Sequence, residues 1–215
     1  MKSIPVIGSN ELALQIQKIG RSKTFQPNQE VFAEGDKAEF LPLVLSGKVK
    51  ILRFLPEGKE VIINIFQDGE FFAIPPVYDG GAYPATAIAI EKTKLLLIYR
   101  RDFLDLLEKS DEFSSLTMAK MSQLLRETTA SIQNLATASP EKRVGHILLR
   151  LVKKHETEAP VKITLRRQDI AEMVGLTTET TIRAIRKLAE KDIVKIVHGK
   201  IILEDISALR KFSES

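Results

Sequence analysis

The spacing of apolar and polar residues changes along this 215-residue chain. Positions 12–19 follow the 3.6-residue period of a short amphipathic helix. Short apolar runs come next, at 23–25, 30–32, 41–45, 49–53, 61–65, 86–90 and 95–99. Pro27-Asn28, Gly35-Asp36, Ser46-Gly47 and Glu57-Gly58 punctuate them as turns. So many short strands at close intervals predict an all-β module packed as a jelly roll or related β-roll.

From Phe103 the helical period returns and, past Ser110, runs without Pro or Gly to about Thr137. At 1.5 Å per residue such a helix spans roughly 39 Å. Leu116, Met118, Met121, Leu124, Leu125, Thr128, Ile132 and Leu135 form its apolar stripe. One side is expected to pack on the β module and the other on the same helix of a second chain. Ser139-Pro140 has the form of a cap followed by the first residue of a new helix, over 143–153.

The stretch Gln168 to Arg186 then carries two short helical patterns divided by Gly175. Thr177 or Thr178 caps the second, and Glu179 suits its positive end. Thr181 (through its methyl), Ile185 and Leu188 point to one face, leaving Thr178, Glu179, Ile182, Arg183, Arg186 and Lys187 on others. Two short helices crossing at a tight turn make a helix-turn-helix, able to place the second in a DNA major groove. After it, 193–197 and 201–203 read as two short strands around His198-Gly199-Lys200, a hairpin whose tip suits a phosphate backbone.

Charge sharpens the division. Residues 1–110 hold 14 Lys/Arg and 14 Asp/Glu, whereas residues 111–215 hold 18 and 14, the whole of the net +4. A neutral module joined to a polyanion-binding one fits this asymmetry. The chain has no Cys, which excludes disulfides, zinc–thiolate sites and cysteine-held iron–sulfur clusters within it. Its histidines, His146, His155 and His198, all fall beyond the β module. A cupin-like metal site and a haem held by a histidine of that module therefore have no ligands, although Met, Lys, Tyr or the terminal amine remain open for haem. No nucleophilic triad or phosphate-transfer loop accompanies these elements, so an enzyme is not expected and no catalytic or metal-ligating residues are assigned. No signal peptide or membrane span is visible, and a cytoplasmic protein is the expectation.

The run IAEMVGLTTETTIRAIRKLAEKDIVKIVHGKIILED resembles the C-terminal domain of the CRP/FNR family of bacterial dimeric transcription regulators, and the placing of Gly35, Gly47, Gly58 and Gly69 is similar to that family's sensor domain. The resemblance implies an α+β chain: a double-stranded β-helix (jelly-roll-like β-roll) sensor over 1–109, a dimerisation helix over 110–137 and a winged helix-turn-helix over 138–215. It also implies a homodimer on a palindromic double-stranded DNA operator, with RNA polymerase and an unidentified small-molecule effector as further partners. A ligand-responsive regulatory or scaffold protein that does not bind DNA is the alternative.

Residue by residue, the resemblance assigns DNA contact to Thr177, Thr178, Glu179, Ile182, Arg183, Arg186 and Lys187 of the second helix. Arg167 and Gln168 at the start of the first helix join them, with His198 and Lys200 of the wing. Glu179 and Arg183 are either base readers or an i,i+4 brace for one another. In relatives that bind cyclic nucleotide, a Gly-Glu pair is followed by Arg-Ser-Ala, the arginine pairing with the phosphate. Gly69-Glu70 and Ala85 are kept here, but Tyr83 and Pro84 replace Arg and Ser, removing a charge-assisted contact. Glu70, Phe71, Phe72, Tyr83, Thr86, Thr128 and Thr129 are the candidates to meet a different effector. Leu116, Met121, Leu124, Leu125, Thr128, Ile132 and Leu135 are the candidates for the dimer seam.

Overall fold

A computed structural model describes residues 8–56, 60–152 and 160–214, with the side chains of 134–137 and 214 also outside the description. The chain divides into two compact units, Met1–Arg126 and Glu127–Ser215, the division falling inside one long helix.

The first unit opens with α1 (Asn10–Ile19), capped by the Ser9 hydroxyl and burying Leu12 and Ile16. Strands β1 (Arg21–Phe25), β2 (Glu30–Phe32), β3 (Phe40–Ser46), β4 (Lys48–Phe54) and β5 (Glu60–Gln67) follow. Then come α2 (Ile74–Asp79), β6 (Thr86–Ala89), β7 (Thr93–Tyr99), α3 (Arg100–Lys109) and α4 (Asp111–Thr137). The strands form two antiparallel sheets, ordered β1-β7-β3 and β2-β6-β4-β5. Both contribute to one apolar cluster, Phe25, Leu41, Leu43, Leu95 and Leu97 from the first sheet and Phe32, Val49, Phe66, Ala87 and Ala89 from the second. Each expected strand run thus lies in a strand, save Ile90, which falls just past β6, and the expected β-roll is the result. Helix α2 went unforeseen: six residues containing Pro75 and Pro76 give no helical period, and the chain enters it through Ala73 at φ +61°.

Aromatic packing dominates the interior of this unit. Tyr83 is 1% exposed and stacks on Phe32 with ring centroids 3.6 Å apart. Its hydroxyl donates to the Phe40 carbonyl at 2.7 Å and accepts from the Phe40 amide at 3.3 Å. Burial pushes the phenol pKa up to about 12, so the ring stays neutral. Phe72, also buried, stacks on Phe66 at 5.1 Å.

Of the candidate seam residues, Leu116 and Met121 are half-buried and pack against the β-roll core of their own chain. Met118, Leu125 and Ile132 are instead the residues left 68%, 69% and 64% exposed, at seven-residue intervals along α4. A helix with two apolar sides needs a packing partner to tell them apart. Leu124 and Thr128 are half-buried and exposed respectively, and the Leu135 side chain lies outside the described residues, as do Gly58 and His155.

In the second unit come α5 (Pro140–Leu151), β8 (Val161–Ile163), α6 (Arg167–Val174), α7 (Thr178–Glu190), β9 (Lys195–Val197), β10 (Lys200–Leu203) and α8 (Ile206–Glu214). Ser139 caps α5 through Lys142 N, with Pro140 in the first turn as its sequence predicts. Helix α8, not foreseen, starts where Asp205 accepts from Ala208 N at 2.9 Å, and buries Leu209 against the unit. The small sheet is ordered β8-β10-β9. No helix of the described residues is long and apolar enough to cross a membrane.

Truncating Tyr83 removes both its packing and its hydrogen bonds. Tyr83→Ala is expected to destabilise the first unit by about 3–5 kcal/mol and Tyr83→Phe by about 1–2 kcal/mol, measured by urea denaturation. Equal and small losses in both would show that the ring is not part of the core.

Candidate nucleic-acid interface

Helix α6 is fixed at both ends. At its start, the Asp169 carboxylate, 1% exposed, accepts from the Arg166 amide at 3.1 Å and from the Arg166 guanidinium at 2.8 Å. Arg166 is therefore engaged in a capping pair at the start of α6 while its side chain stays exposed. At its end, Gly175 takes φ +62° and ψ +42°, a conformation glycine adopts without steric cost. The amide of Leu176 closes back on the Ala171 carbonyl at 3.1 Å. Arg143 of α5 reaches the same turn and donates to the carbonyls of Val174 and Gly175. Sequence reading missed Arg143, because nothing local announces which carbonyls a helix-borne arginine will meet.

Helix α7 starts two residues on. Thr177 is the N-cap, its hydroxyl accepting from Thr180 N at 3.2 Å, which resolves the choice between Thr177 and Thr178. Thr181, Ala184, Ile185 and Leu188 are buried, and the Thr181 hydroxyl has no hydrogen-bond partner, so this threonine serves by its methyl. That burial turns Glu179, Arg183, Arg186 and Lys187 outward and leaves Thr178 and Ile182 half-buried. Arg183 donates to Thr180 Oγ1 at 3.3 Å. The brace weighed between Glu179 and Arg183 is not formed among the described residues; a hydroxyl one turn back orients the guanidinium instead.

The hairpin β9–β10 turns on two residues, His198 at φ +47° and Gly199 at φ +74°. Positive φ at both central positions is the tight turn whose twist matches paired strands. His198 and Lys200 are exposed at its tip. Arg167, half-buried in the first turn of α6, donates to the Gly199 carbonyl at 3.1 Å, and burial lowers its pKa. Gln168 beside it donates to Glu172 at 2.9 Å.

Lys187 is not available in the way its position suggests. Its ammonium lies 2.8 Å from Glu141 of α5, and this hydrogen-bonded partner holds the Glu141 carboxyl below its ordinary pKa. Arg183, Arg186 and Lys200, by contrast, take part in no ion pair among the described residues. The second unit thus presents the outer face of α7 and the wing tip with a set of unneutralised cations, beside others already engaged.

The candidate effector residues are placed unevenly. Phe72, Tyr83 and Thr86 are buried, Thr86 accepting from the Glu34 amide at 3.0 Å. Phe71 is half-buried with its ring edge on Phe113. Glu70 accepts from the Gln67 amide at 3.0 Å and from the Lys120 ammonium of α4 at 2.9 Å. Thr128 and Thr129 are exposed on α4, in the part belonging to the second unit. Lys120 escaped sequence reading because it falls off the apolar stripe.

Comparison with known proteins agrees in both units. Residues 22–110 match the family described as a cyclic nucleotide-binding domain, and residues 142–212 match the Crp-like helix-turn-helix domain. A cyclic AMP receptor protein of Thermus thermophilus is 27% identical over 99% of this chain and 98% of its own length. The nitrogen fixation regulation protein FixK of Rhizobium meliloti is 27% identical over 83% of this chain and 80% of its own. Among solved structures, FixK2 from Bradyrhizobium japonicum shares the fold with a TM-score of 0.78 at 22% identity, covering 90% of this chain and 96% of that one.

The Glu141–Lys187 pair has a signed consequence for pH. A carboxyl whose pKa is lowered in the folded state adds stability above its unfolded pKa, and that stability fades as pH falls through the lowered value. Lys187→Met is expected to raise the Glu141 titration midpoint, followed by its carboxyl carbon resonance. A midpoint indifferent to the substitution would mean that the pair does not form in solution.

Proposed function

The chain belongs to the CRP/FNR family of transcription regulators, with a helix-turn-helix DNA-binding domain, and from that premise we propose that it reads a palindromic operator as a homodimer. The observation that carries this reading is the division of α7: a buried seam of Thr181, Ala184, Ile185 and Leu188 opposite exposed Glu179 and Arg183. A major groove admits such a helix, and its base edges offer these two side chains matching partners. Glu179 accepts from cytosine N4, and Arg183 donates to guanine O6 and N7. Thr178 and Ile182 present methyl groups suited to thymine. Thr177 acts chiefly as the cap.

Backbone contact falls to Arg186, Lys200 and His198, with Gln168 at the start of α6. Lys187 reaches a phosphate only by exchanging Glu141 for it. The chain pairs through the exposed row Met118, Leu125 and Ile132 on α4, a seven-residue repeat that suits packing against its own copy. Two α7 helices related by that two-fold meet successive major grooves about 34–36 Å apart.

The effector reading follows the β-roll. Tyr83 is a core residue, so an effector is not held by a phosphate contact at that position. The accessible coupling point is Glu70, whose carboxylate is held by Lys120 of α4. A ligand that competes for either group acts on the long helix directly, biasing a DNA-binding equilibrium without touching the reader.

Arg183→Ala is expected to weaken binding to a duplex selected from a random library by about 1–3 kcal/mol while leaving unselected duplexes nearly unaffected. Lys200→Ala should weaken both alike and reduce the slope of log affinity against log salt by about 0.9. Fluorescence anisotropy titrations distinguish the two patterns; a loss shared by selected and unselected duplexes in Arg183→Ala would remove its role as a base reader. The double substitution Leu125→Glu, Ile132→Glu places charge in the seam and should yield monomers in light scattering. A dimer that persists would refute this seam.

A further inference from the structure

We infer that Arg167 positions the wing: its guanidinium ties the β9–β10 turn to the first turn of α6 and so sets where the wing tip stands beside α7. This deepens the DNA-binding reading above, since it concerns the tip that presents Lys200 and His198.

The wing has little else to hold it. All three residues of β9 are exposed, with Ile196 42% and Val197 44% accessible, so no residue of this edge strand is fully buried. The partner strand β10 is anchored through Ile201 and Leu203, both fully buried, and pairs with β8. That anchor holds β10 from Ile201 onward and leaves the turn residues themselves, His198 and Gly199, exposed. A Cβ built on Gly199 meets nothing within 4 Å, so this side of the turn faces open space. Among the described residues, the one polar bond reaching the turn from outside its own hairpin is that from Arg167 to the Gly199 carbonyl, 3.1 Å long.

The location of Arg167 supports the same assignment. A cation in the first turn of a helix opposes the positive end of the helix dipole, so this residue does not stand there for the sake of α6. Its side chain is half-buried where it meets the wing, and that burial lowers its pKa. A lysine-like point charge has no need of that geometry, whereas a planar fork hydrogen-bonding a carbonyl does. Because α6 and α7 are locked together through Gly175 and Arg143, a bond from α6 to the wing refers the tip to the recognition helix.

A direct phosphate contact by Arg167 makes different predictions, and a double-mutant cycle separates them. Arg167→Met keeps the apolar stem and removes the donors. Wild type, Arg167→Met, a tip variant (His198→Ala with Lys200→Ala) and the combination of all three substitutions are titrated against the selected duplex over a range of salt. If Arg167 works by placing the tip, Arg167→Met loses affinity by a factor no larger than that of the tip variant. The combined variant is then no weaker than the tip variant alone, and its salt slope shows no further fall. Multiplying losses, with a further drop in slope of about 0.9 in the combined variant, would identify a phosphate contact and overturn the assignment.

Hydrogen exchange on the free proteins supplies a second arm that needs no DNA. Arg167→Met should speed exchange of the 195–202 amides while those of α5 and α7 keep wild-type rates; unchanged wing exchange also overturns the assignment. A wild-type protein that selects no duplex would sink the DNA reading, yet exchange would still decide whether Arg167 holds the hairpin.

Discussion

At Gly175 the backbone turns left-handed between two short helices, and the rest of the reader depends on that turn. With it, α6 stops at Val174 and α7 begins at Thr178, so α7 leaves at an angle that buries one face and exposes the other. Arg143 then closes over the last carbonyls of α6, satisfying acceptors that a helix end leaves without partners. A side chain at position 175 would be strained in this conformation, and a shift of α7 by one residue would bring Arg183 and Lys187 to the core positions held by Ala184 and Leu188. The exposure of Glu179 and Arg183 is therefore a consequence of packing on the opposite side of the helix.

The electrostatics of the reader are more selective than its excess of basic residues implies. Arg143 holds carbonyls, Arg166 holds Asp169, Arg167 holds the wing and Lys187 holds Glu141. These cations shape the surface. Arg183, Arg186 and Lys200 stand outward from it, in no ion pair among the described residues, so in the proposed complex a phosphate or base would meet them without first displacing an internal carboxylate. A partly neutralised surface of this kind favours discrimination over indiscriminate attraction, because fewer charges contribute the sequence-independent part of binding.

In the β-roll, the same logic of packing reassigns a residue that position alone marks as a ligand contact. Tyr83 replaces an arginine of cyclic-nucleotide-binding relatives, and the fold uses it as a core ring against Phe32 and as a bridge to the Phe40 backbone. Glu70, the neighbouring acid in that pattern, turns to Lys120 on α4. The β-roll and the long helix thus meet through an ion pair at the place where an effector is expected.

Much of this protein was legible from its chain alone. Strand runs, the unbroken long helix, the Ser139-Pro140 start, the Gly175 turn and the His198-Gly199 tip are all local matters of period, cap and backbone conformation, which neighbouring residues decide. Helix α2 was missed because six residues with two prolines display no helical period, and α8 was missed although Asp205 and Leu209 supply its start and its buried position. Other facts awaited the tertiary structure: that Leu116 and Met121 face the core while Met118, Leu125 and Ile132 face out, that Tyr83 is buried, and that Arg143, Arg167 and Lys187 already have partners. Each depends on a residue distant in sequence, and an ion pair or a buried ring exists only where the fold brings its second member within reach.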